Sequence, residues 1–379
     1  MLATHRRRAV LVLAVAALGC GGRYGGAPPA RPLAAGRGIE AAALPYQIVD
    51  ARTGKSVDEP AFWTRLGAAR AVCIGEEHPN PHHHWMQLHL VRELLRRMPK
   101  GARVALAMEM FQRPFQGVLD DYAAHRIDAG QLRSRSGYEE RWGYDYGFYG
   151  PTIDAALAGG AQLLAANAAR ELTKKVVRKG LDALTPEEKA QLPELVLDDR
   201  KHRAWFDALM EDLGGASAHS QGKSAEAAKP ADPVAPSPPA SSTATAEAAK
   251  PAEAPRPSPQ HGGEGGEMPS ADRVYTVQVI WDETMADTAA KWLAANPDGH
   301  LWLLAGNGHC HDTAIVGRMK RRGAGDVISV RGVIDDGEGA VGEALARPIN
   351  DFLVVLQMPP GVSRGERDDD KTPDAKPAN

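Results

Sequence analysis

Ala71-Val72-Cys73-Ile74-Gly75-Glu76-Glu77-His78 and Leu301-Trp302-Leu303-Leu304-Ala305-Gly306-Asn307-Gly308-His309 follow one pattern: a short apolar run, a glycine, and a histidine three residues on. Each run lacks polar alternation, as expected of a strand buried on both faces of a parallel sheet. The glycine lets the chain turn sharply at the strand end. Each histidine would then emerge at the carboxyl edge, where open parallel sheets bind ligands.

The same grammar continues outward. After the first motif, Trp85, Leu88, Val91, Leu95 and Met98 recur at helical spacing, and Pro79 and Pro81 suit the helix start. Val104 to Met108 reads as a strand ended by Glu109, and Gln162 to Ala166 as a strand ended by Asn167. Ala169 to Gly180 and Asp198 to Leu213 read as helices. Val277, Ile280, Trp281, Thr284, Thr288 and Trp292 mark one helical face, and Leu301 to Ala305, Val327 to Val330 and Phe352 to Leu356 are further strands. Repeated strand–helix units predict an α/β fold: a mostly parallel sheet with helices on both faces.

The proline and glycine content, 28 and 39 residues, is concentrated in a few stretches. Residues 20–42 read as a flexible tether, about 214–272 as a disordered insertion within a single domain spanning 43–360, and 361–379 as a disordered tail, because none carries enough large apolar surface to offset its ordering entropy. Arg6, Arg7 and Arg8 precede the apolar run Ala9 to Leu18, which reads as a signal peptide over 1–19. Ala17-Leu18-Gly19-Cys20 resembles a lipobox, so Cys20 is expected to be lipidated and to anchor the chain in the cell envelope, at the outer membrane facing the periplasm. Cys73 and Cys310 are read by default as buried thiols, with pairing open in an oxidising compartment. A net charge of -3 supplies no basic field for nucleic acid.

His78, Glu109 and His309 are the central candidates. Two imidazoles and a carboxylate at strand ends suit a divalent transition metal, and equally suit acid–base work. The plainer alternative is two histidines that cap loops independently. His82, His83 and His84, with Gln87 and His89, open the helix after the first motif and offer haem-iron or propionate contacts. Tyr138-Glu139-Glu140-Arg141-Trp142-Gly143-Tyr144-Asp145-Tyr146-Gly147-Phe148-Tyr149 concentrates flat side chains around glycines. Tyr144, Tyr146 and Tyr149 are candidate contacts of a planar ligand or tyrosinate ligands of ferric haem, and Arg141 a propionate partner; a packed aromatic lid is the alternative. Asn167 and Arg170 could orient a ligand carboxylate, and Asp282 or Glu283 could reach the site from the helix opened by Trp281.

Taken together, GEEHPNPHHHWMQ, AMEMFQRPFQ, AANAAR, WDETMA and LAGNGH, in that order over roughly Tyr46 to Gln357, resemble the ChaN-like haem-binding uptake lipoproteins. The resemblance implies the α/β fold shared with Tiki-type, TraB-type and erythromycin-esterase proteins. It also implies haem as cofactor, with a haem-transport partner or a homodimer among the expected partners. In those relatives paired motifs of this kind serve metal-dependent hydrolysis or acid–base roles, onto which His78, Glu109 and His309 map, with Glu76 standing near an esterase glutamate. The alternative function is therefore a divalent-metal-dependent hydrolase. It would act through activated water, since no Gly-x-Ser-x-Gly elbow is present.

Overall fold

Alternate residues of the central strands point to opposite faces of one sheet, and the two faces differ in bulk. The structure, a computed structural model, describes residues 38–211 and 269–359. Its strands are β1 (Tyr46–Asp50), β2 (Ser56–Val57), β3 (Ala71–Glu76), β4 (Val104–Gln112), β5 (Gln162–Asn167), β6 (His300–Gly306), β7 (Val327–Asp335) and β8 (Phe352–Gln357), in the order β2-β1-β8-β7-β3-β6-β4-β5. From β8 to β5 every neighbouring pair is parallel. β1 lies antiparallel on β8, and β2 antiparallel on β1. The sheet is mixed but mostly parallel, with helices on both faces. Strands from before and after residues 212–268 interleave in it.

On one face Val72, Ile74, Leu106, Met108, Trp302 and Leu304 pack against Leu90, Leu94 and Ile153. On the other, Ala71, Cys73, Ala105, Ala107, Leu301 and Leu303 meet Met285, Ala286, Ala289 and Leu293. The small side chains of this second set let the helix Ala271–Ala295 lie close to the sheet, as dense interior packing requires.

The helix Pro81–Arg97 starts where two signals coincide: Asn80 accepts from the His82 and His83 backbone N–H groups, and Pro81 takes the first turn, where its missing donor costs nothing. Arg96 and Arg97 close its last turn against the helix dipole.

Three details depart from the sequence expectation. Ile39–Ala42 forms a short 3-10 turn with Ile39 fully buried, so ordered chain begins inside the stretch read as a tether. The long helix begins at Ala271, capped by Ser270, inside the stretch read as insertion. The third is a correction: Cys73 and Cys310 are joined in a disulfide with Cα atoms 5.4 Å apart, not held as separate thiols. They meet because β3 and β6 are neighbours and Cys310 lies just past β6. The signal peptide, Cys20, the rest of the tether, the proline-rich stretch between 212 and 268 and the tail beyond residue 359 lie outside the described residues.

Candidate functional site

β3, β4 and β6 end together. In register, Met108 pairs with Leu304 and Ile74 with Leu304 from the other side, so Glu109, Gly75 and Ala305 form the next row and Glu76 pairs with Gly306. Parallel strands thus bring residues from three distant parts of the chain to one edge.

Gly306 keeps that edge open. A Cβ there would stand 3.0 Å from His78 Cε1, 3.3 Å from His78 Nε2 and 3.8 Å from Glu109 Oε2, so the imidazole and the carboxylate flank one vacant Cβ position. The Gly306 backbone N–H donates to Glu109 Oε2 at 2.7 Å. The other Glu109 oxygen, Oε1, lies 3.3 Å from His309 Nε2. His78, Glu109 and His309 therefore share one cleft, and all three are nearly buried.

Each histidine is held from behind through Nδ1. His78 Nδ1 hydrogen-bonds Glu76 Oε1, which also accepts from the Tyr149 hydroxyl at 3.3 Å. His309 Nδ1 donates to Asp282 Oδ1 at 2.7 Å. Asp282 Oδ2 in turn meets His202 Nε2 at 3.1 Å, and His202 Nδ1 accepts from Arg318 at 3.1 Å. The result is two imidazole–carboxylate pairs with their Nε2 atoms on the Glu109 side. Burial disfavours charge on His309, but the Glu109 and Asp282 carboxylates outweigh it and raise its pKa to about 9. Burial also opposes charge on His78, and the Glu76 carboxylate overcomes it, so its pKa too is raised. Burial works against the charged carboxyls of Glu76 and Asp282, yet the facing histidines hold both below the usual carboxylate range.

Aromatic faces border the pair. The His78 ring lies 4.6 Å from Trp142 and 4.9 Å from Tyr144 between centroids, and His309 lies 6.0 Å from Trp281. Burial, reinforced by the Glu76 and Glu109 carboxylates, pushes the Tyr144 hydroxyl upward, which disfavours the phenolate.

The other candidates occupy varied places. His84 stacks on Phe148, donates from Nε2 to the His78 carbonyl at 2.9 Å, and is kept neutral by burial. Gln87 holds the Ile74 carbonyl, and His83 Nδ1 accepts from the Glu77 N–H, with its ring against Gly332. These side chains brace the β3 turn from the helix side. His82 donates to the Ala42 carbonyl and His89 pairs with Tyr46, both away from the cleft. Asn167 donates to the Glu109 carbonyl at 3.1 Å and so fixes the strand that carries Glu109. Arg141 is spanned between Gln112 and Glu171, and Arg170 reaches the Glu140 carbonyl. Tyr149 is buried behind Glu76, while Tyr146 packs edge-on against Tyr138 under Arg133. Arg113 pairs with Asp287, leaving Glu109 to the cleft. Glu283 faces Arg318, Arg321 and Arg322 instead of the site.

Sequence reasoning missed His202 and Gln278, which donates to the Gly308 carbonyl at 3.2 Å. His202 belongs to no motif. Gln278 sits one helical turn before Asp282, and that spacing was the available signal.

Residues 62–319 match the sequence model of the family described as haem-binding uptake, Tiki superfamily, ChaN. A solved structure of cofacial heme binding to ChaN of Campylobacter jejuni is similar in fold, with a TM-score of 0.53 and 15% identity over 82% of this chain and 96% of that one. An erythromycin esterase, EreC, in its open conformation aligns at 14% identity over 83% of each chain, with a TM-score of 0.34, too low to support a shared architecture. No curated protein matches the chain in sequence.

Proposed function

This chain belongs to the ChaN haem-binding uptake family of the Tiki superfamily, and from that premise we propose that it is an exported lipoprotein that binds haem at the ends of β3, β4 and β6. The observation that carries the reading is the pair of imidazoles, each held through Nδ1 by a buried carboxylate, with Trp142, Tyr144 and Trp281 beside them. A carboxylate behind Nδ1 fixes the ring and makes Nε2 a better donor to a metal. The donor set fits haem: His78 would hold the iron, and the aromatic rings would flank the macrocycle. Bound haem supplies an iron centre with an open coordination position. His78 is favoured over Tyr144 as ligand because burial and two carboxylates oppose the phenolate.

Export is supported by the basic and apolar leader ending at Cys20, and by the Cys73–Cys310 disulfide, a bond that persists in oxidising compartments. Cys20 would carry the lipid, at the outer membrane facing the periplasm, and haem would pass on to a transport partner. The Campylobacter relative binds haem cofacially; the same arrangement here would bring two copies of the chain together.

One observation favours a second reading. His309 stands between two carboxylates, Asp282 and Glu109, an arrangement suited to moving a proton to or from water. Among the described residues no group of three or more His, Cys, Asp or Glu is arranged to hold a metal ion. In that divalent-metal-dependent hydrolase reading His309 would move the proton, with Glu109 and His78 flanking the substrate.

The test is haem titration of the full chain, followed by absorption, with elemental analysis of freshly purified protein. Haem binding predicts a Soret band, and His78→Ala should weaken affinity about 10-fold or more. His78→Ala combined with His309→Ala should lose less than the sum of the single changes if both act on one ligand. A chain that gives no Soret change but hydrolyses esters would replace the first reading with the second.

A further inference from the structure

Beside the cleft lies a cation, Arg331, with no direct partner among the described residues. Arg331 makes no hydrogen bond or ion pair with any described residue, and its Nε is sealed from solvent. Glu77 and Glu343 lie near enough to act on it through space, yet neither touches it, and the Glu77 carboxylate instead accepts from the Asn80 side chain at 3.3 Å. A guanidinium whose buried Nε–H is left unmet is costly unless an acceptor arrives.

A second unmet group stands next to it. Arg331 is the in-register partner of Gly75, so both residues project to the same face of the sheet. The space over Gly75 is filled by Asn307, whose Oδ1 stands where a Gly75 Cβ would be. Neither Asn307 Oδ1 nor Nδ2 has a partner, and Asn307 is 5% exposed. Arg331 itself is partly exposed, so the place can be reached from solvent. Asn307 leads directly into Gly308 and His309, which makes one loop the wall of both the cleft and this recess.

The geometry points to a carboxylate-recognition site formed by Arg331 and Asn307 beside Gly75, which takes a propionate of the haem bound in the neighbouring cleft. The guanidinium offers paired donors matched to a carboxylate, and Asn307 Nδ2 adds a third. That the carboxylate belongs to haem rests on the proposed function; the site itself does not.

The test is to titrate the full chain, in mild detergent, with haem and with haem dimethyl ester, whose propionates are blocked. The wild type should bind haem about 10-fold more tightly than the ester. Arg331→Gln should erase that preference by weakening haem alone. Asn307→Asp should do the same by placing a competing carboxylate beside Arg331 in an isosteric side chain, and it decides the matter if Arg331→Gln does not fold. A preference that survives in the variants, or is absent from the wild type, overturns it as a propionate site. If the wild type binds neither form, the haem reading has failed, and benzoate in a thermal melt becomes the probe. Stabilisation of the wild type but not of Arg331→Gln supports the carboxylate site alone, and an equal response removes it.

Discussion

His78 takes its carboxylate from two residues back, at the end of the strand that leads into it, whereas His309 takes its own from 27 residues away, on a helix across the sheet face. The local pair is backed by one tyrosine hydroxyl. The distant pair is backed by His202 and Arg318 and faces a second carboxylate, Glu109. A dyad within one turn needs only its own strand end to be correct. A dyad assembled from three elements reports on the packing of all of them, so it should be the more sensitive to damage.

Removing the shared carboxylate should show this most strongly. Asp282→Ala leaves His309 and His202 facing a void, and should cost about 3–5 kcal/mol in urea unfolding, as breaking a buried pair does. Glu76→Ala should cost less; an equal or greater loss would break the comparison.

The disulfide comes next. Cys310 follows His309 directly, and the cross-link closes a separation of 237 residues. The double change Cys73→Ala with Cys310→Ala should cost about 2–4 kcal/mol and lower haem affinity through the His309 loop. Full stability and binding without the cross-link would show that the loop is held by packing alone.

Protonation gives a smaller effect with a definite sign. The His309 pKa is raised to about 9 in the folded chain, against about 6.5 for an unfolded histidine. Its contribution is complete below pH ~6.5 and is lost as pH climbs through about 9, a fall on the order of 3 kcal/mol in the haem-free protein. His78 shifts in the same direction. Urea midpoints measured across that window should fall, and Glu109→Gln should flatten the slope; a flat wild-type profile would mean that neither ring is charged in the folded state.

The least effect is expected from deleting residues 216–266, for which the melting temperature should move by only about 1–2 °C. A collapse of the fold would show that this stretch contributes structure to the domain.

The same contrast explains what could be read in advance. Strands β3 to β8 announce themselves as apolar runs, and Gly75, Gly306, His78, Glu109 and His309 sit at their ends, so the shared edge follows from parallel topology. β1 and β2 did not announce themselves, because Tyr46-Gln47-Ile48-Val49-Asp50 is an edge strand with mixed polarity and β2 has only two residues. The pairing of Asp282 with His309 depends on how the long helix is rotated over the sheet, which its periodicity narrows but does not settle. His202 depends on tertiary packing entirely. So does the disulfide, since two cysteines 237 residues apart become neighbours only once the strand order is known.

That strand order also has a consequence for how the chain acquires its shape. β3, at the centre, is bordered by β7 and β6, and both come from beyond residue 268. Until the carboxyl-terminal third has been made, β3 has apolar side chains on both faces and no hydrogen-bonding neighbour on either edge. An incomplete chain thus lacks both edge partners of its central strand, which disfavours early closure of its amino-terminal half. The same incomplete chain presents bare strand edges to other molecules for as long as synthesis lasts, so its exposure to aggregation is set by the time between the arrival of β3 and that of β7.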